Sequence, residues 1–182
     1  MATNLYESFT HSLTGETFTC LSFDKESYTM EWIVWPQGYV PFEHIHYYQD
    51  EIFYIKKGSL KFLIDKKEVI AGPGETVIIP RGASHIAENY LNEAVECKVE
   101  YKPGLDYYTF FQCFIGLLKD KEYDKKGRVN IPKMAYFMHK TKCTAMARPT
   151  SIPAPVFSFV LVFFGFVGSL LGWKKQLKKY ID

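Results

Sequence analysis

Three histidines and one glutamate have residue types and a spacing suited to binding a metal ion. His44 and His46 are separated by one residue, and Glu51 follows five positions later. His85 lies in a second segment that also has strand-like composition. Imidazole and carboxylate groups are common protein ligands of divalent transition metals. These four side chains therefore form a candidate metal site if the fold brings them together.

The strands around these residues can place all four side chains on one face. Residues two apart in a strand point to the same side of a sheet, so His44 and His46 share a face. Glu51 and His85 are predicted on neighbouring strands, and a sheet that curls into a small barrel would aim them inward. Ionisable groups buried without partners cost several kcal/mol each. A divalent cation that binds all four groups would remove this cost.

The first half of the chain predicts an all-β fold. Short segments rich in β-branched and aromatic residues alternate with glycine and proline turn signals. The predicted strands are 16–23, 28–35, 42–47, 51–56, 59–65, 68–71, 76–80, 84–89 and 94–101. Such regular spacing of short strands is typical of a sandwich or barrel.

Glycine, proline and asparagine positions around the candidate ligands complete two motifs. The first reads Gly38-x5-His44-x-His46-x4-Glu51-x6-Gly58, and the second reads Gly74-x5-Pro80-x-Gly82-x2-His85-x3-Asn89. In all ten fixed positions the chain resembles the cupin superfamily, over roughly residues 15–104. The resemblance implies a double-stranded β-helix (jelly-roll) barrel, followed here by C-terminal helices. It also implies a single metal ion with the ligands His44, His46, Glu51 and His85.

The resemblance implies one divalent transition metal among Fe, Mn, Ni, Cu, Co and Zn. Intrinsic affinity alone would favour copper or zinc, so which metal is bound depends on which metals are available in the cell. For a cytosolic protein, we rank iron or manganese first. Four protein ligands on an octahedral ion leave two adjacent positions for a small organic molecule with neighbouring oxygens. Glu51 is the candidate catalytic residue, since a carboxylate ligand can also accept a proton. The motifs do not separate dioxygenase-like oxidation from isomerisation.

Two other interpretations stay open. The barrel could keep these residues without a metal and use a histidine as a base. The protein could also be a non-catalytic module that binds a metal or a small molecule and is tethered to a membrane. Ligand-dependent stabilisation without turnover would distinguish such a module from an enzyme.

Further residues near the motifs have candidate roles. Phe53 and Ile55 share their strand parity with the glutamate and are predicted to form a substrate-pocket wall, with core packing as the alternative. Asn89 is expected to bond a pocket group or to tie a turn. His11 and His139 lie outside the motifs and are expected at the surface rather than as ligands.

The second half of the chain is predicted to form helices. Residues 1–104 are predicted as the barrel domain, 105–154 as a helical extension and linker, and 155–182 as an apolar C-terminal helix. Asp106 is expected to cap a helix whose apolar face packs on the barrel or on another subunit. A second helix is predicted over 130–140, and the proline-rich stretch 147–155 is predicted as a linker.

Residues 156–173 contain no charged side chain and are followed by four lysines, Lys174, Lys175, Lys178 and Lys179. An apolar run of this length is at the lower limit for crossing a bilayer core of ~30 Å. Trp173 and the lysines suit a membrane interface. Gly168 and Gly172 have the spacing of a close-packed helix pair. We therefore predict membrane contact, with a buried helix in a homodimer as the alternative.

Charge and cysteine content limit the possible binding partners and the cellular location. Residues 1–104 carry 9 basic and 15 acidic side chains, and residues 105–182 carry 13 and 5. A basic segment beside an apolar one favours an anionic membrane surface over nucleic acid as a partner.

Scattered cysteines and a polar N-terminus without an apolar leader predict a cytoplasmic barrel, anchored to a membrane if the C-terminal helix inserts. The family resemblance implies a homodimer.

Overall fold

The structure, a computed structural model, describes residues 5–145 and 147–181. Within these residues, the first ten strands precede all the helices, and one short strand lies between the second and third helices. The strands are β1 (Ser8–His11), β2 (Glu16–Phe23), β3 (Tyr28–Val34), β4 (His44–His46), β5 (Asp50–Lys57), β6 (Leu60–Ile64), β7 (Lys67–Ala71), β8 (Thr76–Ile79), β9 (Ser84–Glu88), β10 (Val95–Lys102) and β11 (Ala147–Pro149). The helices are α1 (Tyr107–Lys119), α2 (Ile131–Thr141), α3 (Ala154–Leu170) and α4 (Lys174–Ile181).

The strands form two antiparallel sheets. The first has the order β1-β2-β3-β10-β5-β8, and the second has the order β11-β4-β9-β6-β7. Apolar side chains from both sheets share one core, as shown by Phe53 of β5 and Phe62 of β6, whose ring centroids are 4.9 Å apart. Among the described residues, hydrogen bonding does not join the sheets into one closed barrel. The all-β architecture with C-terminal helices is therefore confirmed as a two-sheet sandwich.

All nine predicted strands are present with end points shifted by at most two residues, and two strands were not predicted. In β1, hydroxyl pairs bind the strand to β2, including Ser8 Oγ to Thr19 Oγ1 at 2.8 Å. Strand β11 lies inside the predicted linker and pairs with β4. Its proline disfavours a strand prediction, but β11 is an edge strand, where a missing N–H is tolerated.

The first two helices begin near the predicted positions, with one error in the capping. Asn130 caps α2, because its side chain accepts a hydrogen bond from the Lys133 N–H at 3.2 Å. Asp106 occupies the N-cap position of α1, but its side chain makes no capping bond there. Its carboxylate accepts instead from the N–H groups of Thr144 and Ala145, at 3.0 and 2.9 Å. Asp106 therefore ties the start of α1 to the segment after α2.

Helix α1 packs its apolar face on the first sheet. Packing on the barrel was one of the two predicted alternatives, and packing on another subunit was the other. Phe111 and Phe114 contact the ring of Phe18, at centroid distances of 6.2 and 5.7 Å. On another side of α1, a methyl group at Gly116 would overlap the ring of Tyr180 from α4. Helices α1 and α4 therefore approach closely through a residue that has no side chain.

The apolar segment 156–173 does not form one helix. Helix α3 ends at Leu170, Gly172 adopts a positive φ of 75°, and α4 continues at 103° to α3. Within the described chain, neither helix alone has the length and apolar composition to span a bilayer, and the bent pair meets that test by length and composition only. Gly168 packs on the Tyr136 ring of α2, so its side of α3 is already occupied within the chain.

Candidate metal centre

The four candidate ligands come together in space. His44 and His46 lie on β4, Glu51 on β5 and His85 on β9, and one donor atom from each side chain lies within 4.8 Å of the others. Strand pairing brings about part of this arrangement, because His44 is directly opposite His85 in the β4–β9 ladder. His46, Glu51 and His85 are buried, whereas His44 is partly exposed.

The turn between β8 and β9 connects the two motifs. Gly82 has a positive φ of 86°, which glycine adopts without a steric penalty. Its N–H donates to the carbonyl of His46 at 2.8 Å, and the Ala83 N–H donates to the carbonyl of Pro80 at 3.1 Å. The turn that precedes His85 is thus hydrogen-bonded directly to a ligand-bearing strand.

Hydrogen bonds orient two of the imidazole rings. His44 Nδ1 lies 3.2 Å from the carbonyl of Phe42, and His85 Nδ1 lies 3.2 Å from the carbonyl of Ala83. A carbonyl accepts only, so Nδ1 must carry the proton in each bond. The neutral His44 ring then has its lone pair on Nε2, whereas Nε2 of His85 faces Oε2 of Glu51 at 2.8 Å. Metal-binding histidines are commonly oriented by such a bond from the second ring nitrogen.

His46 gives the clearest sign that a group is needed at this position. The ring is buried, with 4% exposure, and within the described residues neither of its nitrogens has a hydrogen-bond partner. Its Nε2 lies 3.6 Å from Oε2 of Glu51, beyond hydrogen-bond range. A buried polar atom without a partner costs about 1–3 kcal/mol. A cation between His46 and Glu51 would satisfy the nitrogen, so the residues fit a metal ion.

Glu51 lies between a histidine and a tyrosine. Its Oε2 is 2.8 Å from Nε2 of His85, and its Oε1 accepts a hydrogen bond of 2.6 Å from the hydroxyl of Tyr101. The Tyr101 ring stacks on Tyr107 of α1 at 3.9 Å. The sequence showed no sign of a role for Tyr101, although this residue lies directly opposite Glu51 and shares its face of the sheet. The role depends on β10 lying next to β5, which is a property of the tertiary fold.

The electrostatics keep three of the four candidate ligands in the form that binds a cation. Burial and the neighbouring histidines lower the pKa of His44 to about 3, and burial lowers the pKa of His46 to about 4. Burial would raise the pKa of Glu51, but the hydrogen bond and charge of His85 outweigh it and lower that pKa. Burial opposes protonation of His85, yet Glu51 raises its pKa. Near pH 7, His44 and His46 are therefore neutral and Glu51 is ionised, as metal ligands must be.

A cavity of about 110 Å³ adjoins the four side chains, and its other walls are mainly apolar. The walls include Phe18, Met30, Trp32, Phe53, Tyr107 and Phe111. Of the two residues predicted as pocket wall, Phe53 lines the cavity. Ile55 does not line it; the side chain is 3% exposed and packs in the core. Helix α1 supplies walls that the strand motifs could not indicate.

The remaining predicted residues have structural contacts. Asn89 ties a turn, with its Nδ2 group donating to the carbonyls of Val34 and Glu93 at 2.8 and 2.7 Å. The surface prediction for His11 is wrong: the ring is 2% exposed, and Nε2 lies 3.1 Å from the Gly127 carbonyl. His139 is half-buried and packs against α3. All four cysteines are buried free thiols: Cys20, Cys97, Cys113 and Cys143.

Residues 30–101 match the family model "Cupin domain", and this part of the chain is a cupin domain. No curated protein matches the sequence. Similar solved structures include the cupin domain of Schizosaccharomyces pombe Cnp3, at 14% identity and a TM-score of 0.48 over 53% of this chain and 68% of that chain.

Two further solved structures are similar at the same level. A variant of Streptomyces PAC13 with uridine shares 16% identity, with a TM-score of 0.47 over 56% of this chain and 79% of that chain. A Silicibacter pomeroyi sugar phosphate isomerase of the cupin superfamily shares 18% identity, with a TM-score of 0.46 over 56% of this chain and 68% of that chain. Similarity this low does not assign a substrate to the present chain.

Proposed function

We propose that this protein is a metal-dependent cupin enzyme that acts on a small organic molecule. The observation that carries the proposal is the convergence of three imidazoles and one carboxylate within 4.8 Å of one another beside a cavity. The unpartnered His46 supports the same conclusion. The two sheets and their shared core support a jelly-roll, double-stranded β-helix arrangement around this site.

The metal would be held by His44, His46, Glu51 and His85. When bound, a divalent ion supplies Lewis acidity that polarises a substrate oxygen and favours loss of a nearby proton. Mixed nitrogen and carboxylate donors suit several first-row metals, with iron or manganese proposed first and nickel, copper, cobalt or zinc as alternatives.

The protein's own groups would bind the substrate, exclude water and accept a proton. Glu51 is the proposed proton acceptor, because its carboxylate faces the cavity and is ionised. Tyr101 would keep this carboxylate oriented through its 2.6 Å hydrogen bond. The rings of Phe53 and Trp32 would cover the apolar side of the substrate and exclude water. A dioxygenase-like or an isomerase-like reaction would use the same proton acceptor.

Metal analysis tests the proposal directly. The full chain would be purified once in air and once without oxygen, and its metal content measured by mass spectrometry. We expect about one transition-metal ion per chain in at least one preparation. Oxygen uptake and isomer formation would then be followed with catechols, β-diketones, flavonols and thiols. A chain that holds no metal after both purifications, and that cannot be loaded with any, would contradict the proposal.

A non-catalytic module bound to a membrane is the second candidate, favoured by the outer face of α3. Large apolar side chains on this face are exposed, including Phe159 at 66%, Phe166 at 67% and Leu170 at 73%. Exposed lysines of α4 follow directly. Apolar side chains beside lysines suit an anionic lipid surface. Ligand-induced stabilisation without turnover of any substrate would favour this candidate.

Homodimerisation and a cytoplasmic location stay predictions. Two edge strands support a homodimer through the sheets, since β7 exposes Ile70 at 53% and β8 exposes Ile78 at 61%. Exposed apolar groups on unpaired edges favour association with another chain. Light scattering of the full chain, with Ile70→Lys and Ile78→Lys variants as comparison, would test the dimer.

A further inference from the structure

A second cavity adjoins the one beside the candidate metal centre. It has a volume of about 80 Å³ and lies between strand β11, Phe42 and helices α1, α2 and α3. Four residues line both cavities: Phe42, Phe110, Phe114 and Ala147. The two cavities therefore share the wall formed by these side chains, and a molecule held at the metal centre would reach the second cavity by passing them.

The chemistry of the second cavity differs from that of the first. All the described residues that line it are apolar, whereas the first cavity contains the histidines and Glu51. Helix α2 contributes Met134, Ala135 and Met138, and α3 contributes Phe157 and Leu161. Methionine side chains adapt readily to apolar groups of varied shape. Such walls stabilise hydrocarbon and offer no hydrogen bond to a polar substrate.

We propose that the substrate is an amphiphile with neighbouring oxygen atoms at one end and an apolar chain at the other. The oxygens would lie at His44, His46, Glu51 and His85, and the chain would pass the rings of Phe110 and Phe114 into the second cavity. This inference rests on the proposed function, because it names the class of substrate for the same site.

The position of the second cavity supports a poorly water-soluble substrate. Ile131, one of its lining residues, is 39% exposed, which places part of the cavity near the surface. Helix α3 lines the cavity with Phe157 and Leu161 and exposes Phe159 and Phe166 elsewhere on its surface. One helix thus joins the cavity to the exposed apolar surface at which an amphiphile would gather.

Straight-chain hydroxamic acids test the inference, because each carries two neighbouring oxygens that bind metals and an alkyl chain of chosen length. Their affinities for the manganese-loaded full chain would be measured by titration calorimetry, from acetohydroxamic to decanohydroxamic acid. Burial of one methylene contributes about 0.8 kcal/mol, so we expect affinity to rise about fourfold per added carbon until the second cavity is filled.

Two variants locate the alkyl chain. Ala135→Leu would fill part of the second cavity, and Ile131→Lys would make its exposed end polar without adding volume to the core. Each is expected to lower the affinity for long chains at least tenfold and to leave that for acetohydroxamic acid unchanged. Leu63→Lys is the matched control, because Leu63 is 39% exposed, like Ile131, and lies outside the lining of both cavities.

The outcomes separate the two proposals. An affinity that is independent of chain length, or chain-length dependence that both cavity variants leave intact, would overturn the amphiphile inference while the metal site stands. A chain that takes up no manganese or other transition metal, and binds no hydroxamic acid of any length, would overturn the proposed function and this inference with it.

Discussion

The hydroxyl of Tyr101 donates a 2.6 Å hydrogen bond to Oε1 of Glu51, across a directly opposed residue pair of β10 and β5. The other carboxylate oxygen, Oε2, faces His85. One oxygen of the only acidic candidate ligand is therefore positioned by a neighbouring strand. Groups that orient a metal ligand in this way affect metal affinity although they do not touch the metal.

Replacing Tyr101 by phenylalanine should weaken metal binding about 10- to 100-fold, because Glu51 loses the hydrogen bond that orients it. Metal affinity would be measured by competition with a chelator. Tyr54→Phe is the matched control, since Tyr54 donates a similar bond of 2.9 Å to Glu100 on the same sheet, away from the cluster. Equal metal affinity in the Tyr101→Phe variant and the unmodified protein would show that Tyr101 has no positioning role.

Glu51→Gln should abolish both high-affinity metal binding and turnover. The substitution keeps the size of the side chain but removes its charge and its capacity to accept a proton. Metal added to the unmodified protein should raise its melting temperature, since a ligand bound only by the folded state stabilises it. That increase should disappear in the variant. Glu31→Gln, at a surface ion pair with Lys56, should keep the full increase; loss in both variants would point to a nonspecific effect.

Glu16 should make stability fall as pH rises. The side chain is buried beside the indole of Trp32, and burial raises its pKa from 4.5 to about 8. The folded state therefore keeps a proton that the unfolded state loses between these pH values. The stabilising contribution is complete below pH 4.5 and decreases up to about pH 8, by at most about 1.4 kcal/mol per pH unit.

Denaturant unfolding of the metal-free protein at several pH values would measure this effect. Other groups also titrate, so the difference between the unmodified protein and Glu16→Gln isolates Glu16. We expect that difference in unfolding free energy to change steadily between pH 5 and 8, because the amide does not ionise. A constant difference over this range would mean that the pKa of Glu16 is the same in both states.

The full chain should bind vesicles that contain phosphatidylserine, and less so as salt is added. Each lysine near an anionic surface contributes about 1 kcal/mol. In a flotation assay, Lys174→Gln/Lys175→Gln should therefore lower the affinity for these vesicles at least tenfold. Phe159→Ser/Phe166→Ser should also lower this affinity, because the apolar contacts with the lipid are lost. Leu63→Ser/Phe23→Ser is the control, because these exposed apolar residues lie on the sheets and outside the proposed dimer edges. Equal flotation of all variants would contradict a role for α3 and α4.

The sequence predicted the convergence of the ligands well, because their spacing depends on properties of single strands. His44 and His46 share a face because they are two apart in one strand, and the turn at Gly82 determines where the strand that carries His85 begins. Tyr101 could not be found in this way, since its role requires the neighbour of β5 to be known. Helix α1 was expected to pack on the barrel or on another subunit, but nothing in its sequence indicated which strands it would cover.

The error at His11 has a different physical reason. Its segment is polar, which favours exposure, but the loop at Gly127 approaches so closely that a methyl group there would lie 2.8 Å from His11 Nε2. These residues are 116 positions apart, and their contact depends on the tertiary fold alone. The break in the apolar C-terminal segment was likewise missed, although Gly172 is the residue type that permits the positive φ found there.

Strand β11 gives the C-terminal region a direct mechanical connection to the candidate centre. Ala147 and Pro149 pair with His46 and His44, and the Thr150 N–H donates to the carbonyl of Glu43 at 3.0 Å. Force applied to α3, as when a helix is drawn toward a surface, would therefore reach the backbone of two candidate ligands without passing through the core. A truncated chain that retains the metal geometry would have to end after Thr150 rather than at the close of the last motif.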